Sequence, residues 1–458
     1  MTQRSYVLPC GWVMFLLCII LPSSISAAEI DAPVTPPPQR SEPLTLKNFV
    51  PELVSTSDRI QAAAARLSSS EFSLAEARSA LYPRLDLIAD GGYEYISFAD
   101  EEEEGDDDSS ELKNVQTLQF RQLVHDFGQT GGTIGRARAV LEQSEFNLEA
   151  VTQEVLRQGV GAYLQVYRAY QQLGYALRSE ENIKRQTGIE EALVERGAGL
   201  SSDVLQAKSQ LAGANARRVS LEGELINAQN RFQAVYLVDL SEEQIQRFDL
   251  PDLPSPLLPM TLEEALDIGL AENPQLEVAR RNIQAVEQDI TVIRSRFYPR
   301  LDFVAEGRRR QNDVGEDGVR AEARALVELR YNLFRGGGDQ AALQSALSQK
   351  TRAKRELQDL RRSVEEQIRV SWRNLITARK NVDYLVNQTN ILHEFLELAR
   401  KERRMGTRSL IDVLNGEVNY INAVSSAVAA RANTVRAAYD LLFAMGRLTP
   451  DVFQHNAM

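Results

Sequence analysis

The sequence predicts a mainly helical protein with a β-barrel portion, a tandem duplication of one unit made of long helical hairpins plus a β-hairpin. Three observations predict it: a segment that returns 216 residues later, two-residue alternation of apolar and charged side chains after each copy, and long proline-poor stretches beyond. Leu81-Tyr82-Pro83-Arg84-Leu85-Asp86 comes back as Phe297-Tyr298-Pro299-Arg300-Leu301-Asp302, and 298 − 82 = 216. At that shift Leu46 meets Leu262, Ile60 meets Leu276, Ala63 meets Ala279 and Ala89 meets Ala305 without a gap. The shift is 207 where Phe127 before Gly131-Gly132 meets Phe334 before Gly336-Gly337-Gly338, and 209 where Gly197 and Asp203 meet Gly406 and Asp412, a drift that small loop insertions explain. Such a period marks a duplicated domain-sized unit, far longer than a solenoid or propeller repeat.

At the start of the chain, Arg4 precedes an apolar run over residues 11–21, too short to span a bilayer as a helix. With Ser26-Ala27-Ala28 it reads as a signal peptide over 1–28, cleaved after Ala28. Cys18 follows Phe15-Leu16-Leu17 and Cys10 follows Val7-Leu8-Pro9, so neither sits in a lipobox, and both are expected to leave with the leader. Removing Arg4 leaves 51 basic and 64 acidic side chains, and 51 − 64 = −13, a charge that repels nucleic acid and anionic lipid. No second apolar stretch is long enough for a membrane helix, so any insertion must use β-strands.

The remaining chain divides into a flexible proline-rich segment 29–44, a first unit 45–238, a connector 239–259, a second unit 260–447 and a tail 448–458, expected to be flexible after Pro450. Each unit opens with a helix, about 45–80 and 261–296, stopped by the proline of the repeated segment. Strands follow. Leu85, Leu87, Ala89, Tyr93 and Tyr95 share one face, and Asp86, Asp90 and Glu94 the other. Leu301, Phe303 and Ala305 likewise oppose Asp302, Glu306 and Arg308; Val327, Leu329 and Tyr331 oppose Arg324, Glu328 and Arg330. The alternation fits transmembrane barrel strands, with Leu85, Leu87, Tyr93, Leu301, Phe303, Val327 and Leu329 toward lipid and Asp86, Asp90, Glu94, Asp302, Glu306, Arg324 and Glu328 toward a water-filled lumen. It fits equally a soluble sheet with one buried face. Two hairpins across polar loops 100–111 and 312–318 make four strands, too few to close a barrel, so the membrane reading requires two or three copies. The glycine clusters 131–132 and 336–338 are expected to end the strands. Stretches 133–196, 201–237, 339–404 and 409–446 read as long helices, which a soluble antiparallel coiled coil would also explain.

Between the paired long helices lie Gly197-Ala198-Gly199-Leu200-Ser201-Ser202-Asp203-Val204-Leu205 and Met405-Gly406-Thr407-Arg408-Ser409-Leu410-Ile411-Asp412-Val413-Leu414-Asn415. Gly197 and Gly406 suit a left-handed helix end, and Ser202 and Ser409 suit the start of the next helix. Twinned turns in register with twinned strands over about 45–446 resemble the TolC family of outer-membrane efflux and type I secretion channels. The resemblance implies an outer-membrane homotrimer, with a twelve-stranded β-barrel continued by an α-helical barrel across the periplasm of a Gram-negative cell. It implies a gate at the tips, where Arg408 pairs with Asp203 and where Asp412 and Asn415 form the constriction; the family has an acid at the position of Asn415. It implies that a periplasmic adaptor (membrane fusion) protein docks near Gly197, Leu200, Gly406 and Thr407 and that an inner-membrane ABC or RND-type transporter supplies the cargo. The connector would be the family's equatorial region.

No catalytic, cofactor or metal site is expected. His125, His393 and His455 lie far apart, and the glycine cluster 336–338 lacks the lysine and hydroxyl residue of a phosphate loop. The run 100–111 carries nine acids in twelve positions and reads as a solvated loop without an ordered cation-ligand spacing. The competing function is a non-transporting periplasmic coiled-coil scaffold or an adaptor.

Overall fold

The computed structural model describes residues 46–96, 109–313 and 316–453. The expected leader, the segment 29–44, most of the acidic run 100–111 and His455 lie outside them.

Each unit opens with a broken helix rather than the single one expected. The first unit has α1 (Leu46–Thr56) and α2 (Asp58–Ser79), and the second has α6 (Leu262–Glu272) and α7 (Pro274–Ser295). The breaks at Ser57 and Asn273 are again 216 residues apart, since 273 − 57 = 216. In the second unit the cause is local: Pro274 cannot donate, and the Asn273 side chain accepts from the Gln275 amide at 2.9 Å instead.

Strands β1 (Arg84–Ile96), β2 (Ser109–His125), β3 (Arg300–Asp313) and β4 (Glu316–Arg330) form one antiparallel sheet in the order β1-β2-β3-β4. The strands run further into the connecting segments than expected: β2 takes in Ser109, and β3 and β4 leave only two residues between them. Asn312 has φ 52° there, and its carboxamide oxygen accepts from the Gly318 amide at 3.0 Å.

The long helices are α3 (Gln129–Glu195) and α8 (Gly338–Arg404), 67 residues each, and α4 (Ser201–Tyr236) and α9 (Leu410–Ala444). At 1.5 Å per residue α3 and α8 reach about 100 Å. They begin 338 − 129 = 209 residues apart, as do α4 and α9 (410 − 201 = 209), so the hairpins of the two units match without a gap. Gly131 and Gly132 do not end a strand: they lie in the first turn of α3, where a Cβ on Gly132 would meet Val292 at 2.9 Å. The strand-to-helix turn is made by Gly128 at φ 101° and, in the second unit, by Gly336 and Gly337 at φ 60° and 79°.

The core gathers where the first helices and the connector cross the long ones. Phe49 sits 5.0 Å from Phe232 and 4.5 Å from Tyr236, and Phe248 of the connector stacks on Tyr163 at 4.5 Å. The Tyr163 hydroxyl donates to the Asp249 carbonyl at 2.9 Å, and burial pushes it above the usual phenol range. The connector includes a short helix α5 (Glu242–Ile245) capped by Ser241, whose side chain accepts from the Gln244 amide. The start of the tail is packed as far as Phe453: Leu448, Val452 and Phe453 are buried, and Phe453 stacks on Tyr439 at 5.3 Å. Apolar burial outweighs the chain entropy that a tail reading assumes.

Candidate functional site

The two hairpin tips close by the same hydrogen-bond pattern. In α3 the Gly197 amide donates to the Val194 carbonyl and the Ala198 amide to Leu193, both at 2.9 Å; in α8 Gly406 donates to Arg403 at 3.0 Å and Thr407 to Glu402 at 3.1 Å. These bonds satisfy helix-end carbonyls, and they require a left-handed residue, which Gly197 (φ 72°) and Gly406 (φ 77°) supply. The next helices start differently. Ser409 caps α9, accepting from the Asp412 amide at 3.2 Å, but Ser202 caps nothing. Leu200 occupies that position in α4 with no side-chain cap, so the first tip is the less firmly tied. Leu200, Leu205 and Met405 project from the tips, more than half exposed.

Within this chain Arg408 does not reach Asp203. Its guanidinium donates to Glu402 at 2.8 Å, stands 3.6 Å from Asp412 and lies over the Phe395 ring at 4.9 Å, while Asp203 touches the Ser202 hydroxyl at 3.3 Å. These nearer partners on its own hairpin occupy Arg408. Asp412 and Asn415 are exposed, and Asn415 accepts from Gln210 of the other hairpin at 3.4 Å.

Two buried acids that the sequence reading missed tie the hairpins together. Glu190 of α3, 2% exposed, pairs with Arg403 of α8, which also donates to the Arg408 carbonyl at 3.3 Å. Glu417 of α9 pairs with Arg400 and accepts from Asn182 of α3 at 2.8 Å. Beneath them Ile183, Ala207, Leu410 and Leu414 form a small apolar cluster shared by the two hairpins. A signal for Glu417 was present: in α9 only Asp412, Glu417 and Asp440 are acidic among mostly Ala, Val and Leu. Nothing comparable marks Glu190, which sits in a charged stretch.

Nearer the middle of the hairpins, Asp440 lies 3.6 Å from Arg436 and 3.8 Å from Arg157 in a polar cavity that Asn433 and Asn374 also line. Burial holds its carboxyl above the usual carboxylate range despite the two guanidinium groups.

The sheet distributes its burial the opposite way from a soluble sheet. Leu85, Leu87, Tyr93, Val327 and Leu329 are exposed, Leu87 by 72%, and Phe303 and Leu301 partly so. On the other face Asp302 and Glu306 are buried, at 1% and 8%. Charges there pair across strands: Arg324 with Glu306 at 2.7 Å, Arg310 with Glu322 at 2.8 Å, and Lys113 with both Glu94 and Asp313 at 2.7 Å. Asp86 and Glu328 pair with Arg84 at 3.0 Å and Arg330 at 2.7 Å, and Asp90 is exposed. A charged face thus shields itself while an apolar face stays open, the distribution of a barrel wall seen in one piece.

The family model for outer membrane efflux protein matches residues 50–236 and 265–447. The chain is 25% identical to the outer membrane efflux protein BepC of Brucella suis over 342 residues, covering 73% of this chain and 72% of that one. It is 24% identical to the alkaline protease secretion protein AprF of Pseudomonas aeruginosa over 380 residues, covering 81% and 76%. Among solved structures, the outer membrane channel CmeC of Campylobacter jejuni superposes with a TM-score of 0.76 at 16% identity, over 88% of this chain and 85% of that one.

Proposed function

Because this chain belongs to the outer membrane efflux protein family, we propose that it is the outer-membrane exit duct of a tripartite efflux or type I secretion system, a passive conduit rather than an enzyme. The observation that carries this reading is the inverted burial of the sheet, apolar side chains open to the surroundings and paired charges within. A soluble scaffold gives that apolar face no purpose and leaves its edges open. Three copies of the four-stranded sheet close a barrel of twelve strands, above the minimum of about eight. The helical hairpins, about 100 Å long by their rise per residue, continue the conduit into the periplasm.

The tips form the gate. Asp412 and Asn415 ring the mouth, with one charge per copy where an acid at Asn415 would give two, and Arg408 braces the second tip through Glu402 and Asp412. The buried pair Glu190–Arg403 and the hydrogen bond from Asn182 to Glu417, an acid that Arg400 of its own hairpin neutralises, hold the two hairpins of a copy together. Opening is a repacking of hairpins biased by a partner, which needs only a different affinity for the two arrangements. A periplasmic adaptor grips the exposed Leu200 and the turns at Gly197, Gly406 and Thr407, and an ABC or RND-type transporter delivers cargo from the inner membrane.

Planar-bilayer recording tests this. The purified protein should form channels whose cation preference falls in Asp412→Asn and rises in Asn415→Asp. Channels with unchanged selectivity in both variants would remove the mouth from these residues, and absence of channels would remove the duct.

A further inference from the structure

The internal duplication sets how one copy meets the next. The outgoing strand of the first unit, β2, pairs with the incoming strand of the second unit, β3, with Leu118 opposite Gly307. The two strands at the ends of the sheet are of the same kinds: β4 is the outgoing strand of the second unit and β1 the incoming strand of the first. The repeat relates them numerically. β1 matches β3 at a shift of 307 − 91 = 216, and the hairpin registers, Leu85 opposite Phe120 and Leu301 opposite Leu329, match β2 to β4 at 329 − 120 = 209.

Carrying the β2–β3 register through those shifts, we infer that β1 of a second copy pairs antiparallel with β4 so that Val327 faces Gly91, Leu326 faces Gly92 and Arg324 faces Glu94. This rests on the reading that several copies close a barrel, and adds which residues meet at the seam.

Three features of the two edges agree with this register. It keeps the charged faces of both strands on one side, whereas a slip of one residue would turn one strand's charges toward lipid. On the apolar side it sets large against small: Val327 against Gly91, Leu329 against Ala89 and Tyr93 against Ala325. On the charged side, Arg324 already holds Glu306 at 2.7 Å and Glu94 already holds Lys113 at 2.7 Å. Bringing Arg324 against Glu94 joins these into one chain of alternating charge, from Asp313 and Lys113 of one copy to Glu306 of the next. One contact opposes it, Glu328 across from Asp90, and Arg330 at 2.7 Å from Glu328 offsets that repulsion.

Cysteine pairs read the register directly. Leu326→Cys is combined in turn with Gly92→Cys, Asp90→Cys and Glu94→Cys, and isolated outer membranes are oxidised with copper phenanthroline. Gly92 accepts the change, since no atom lies within 4 Å of the added Cβ and its φ is not positive. The three partners share one face and one pair type, so only register separates them. The inference predicts that 92/326 links most chains into dimers and trimers on a non-reducing gel and that the two offset pairs link few. Dominant linking by 90/326 or 94/326 would overturn the register while leaving the barrel standing. A heat-resistant oligomer with no linking by any pair would overturn the β1–β4 seam. A monomer that resists linking throughout would remove the barrel and the seam together.

Discussion

Arg403 and Glu190 show what one buried pair can do at a gate. The Glu190 carboxylate is out of water, and Arg403 is its counter-ion. Replacing Arg403 by Ala leaves the acid uncompensated, at a cost of about 3–5 kcal/mol. Arg403→Ala should therefore loosen the tips and raise the basal conductance in bilayers, and Glu190→Gln with Arg403→Ala should restore much of the closed behaviour. An unchanged conductance in Arg403→Ala would take the pair out of the gate. Asp440 offers a second residue-scale test, because its carboxyl binds a proton more tightly in the fold than in the unfolded chain. Such a group favours the fold when protonated, and that contribution fades as pH rises through its raised folded value. Asp440→Asn should accordingly raise the melting temperature at neutral pH, with the gain shrinking toward the ordinary carboxylate range. A gain independent of pH would contradict this. The burial of Glu190 was not legible in the sequence, since burial of an acid on a long helix depends on which neighbour covers it; Asp440, like Glu417, stood out as one of three acids on an otherwise apolar helix. Arg408 was legible as a tip residue from its turn motif. Its partners within one chain, Glu402 and Asp412, were not: they lie along its own hairpin, while Asp203 lies on the other.

At the scale of elements, the long helices and strands followed from patterns that local physics enforces. Period-two alternation set the strand faces, proline-free runs set the hairpins, and Gly197 and Gly406 set their ends. Gly406→Ala should cost about 1–2 kcal/mol, because the left-handed turn forces a Cβ against the following carbonyl. Thermal denaturation would register it, and no loss would mean the turn re-forms without that conformation. What escaped were features decided by contact. The break at Asn273 carried a local signal in Pro274, whereas Gly132 lies within α3 to let α7 approach and the tail docks because Phe453 finds Tyr439. Gly159 is of the same kind: an added Cβ would meet Leu53 at 2.5 Å and the Tyr236 hydroxyl at 2.7 Å. Gly159→Ala should destabilise the core by about 1–3 kcal/mol through overpacking.

For the whole molecule, the decisive property is that an amphipathic sheet presents its apolar face outward and leaves both edges open. The duplication makes the two-faced character of these strands visible in the amino-acid pattern itself, because the same alternation appears twice in register. The pattern leaves open whether lipid or protein covers the apolar face, and among the described residues no helix packs extensively on the sheet. Lipid on one face and water on the other gives opposite chemistry at positions one or three residues apart, as at Glu328 between Val327 and Leu329 and at Asp90 after Leu87. Single cysteines at Leu87, Val327 and Leu329, and at Asp90 and Glu328, can be probed with a membrane-impermeant maleimide in intact outer membranes. A membrane wall built from these strands gives rapid labelling at Asp90 and Glu328 and protection at Leu87, Val327 and Leu329; equal labelling of both sets would contradict it.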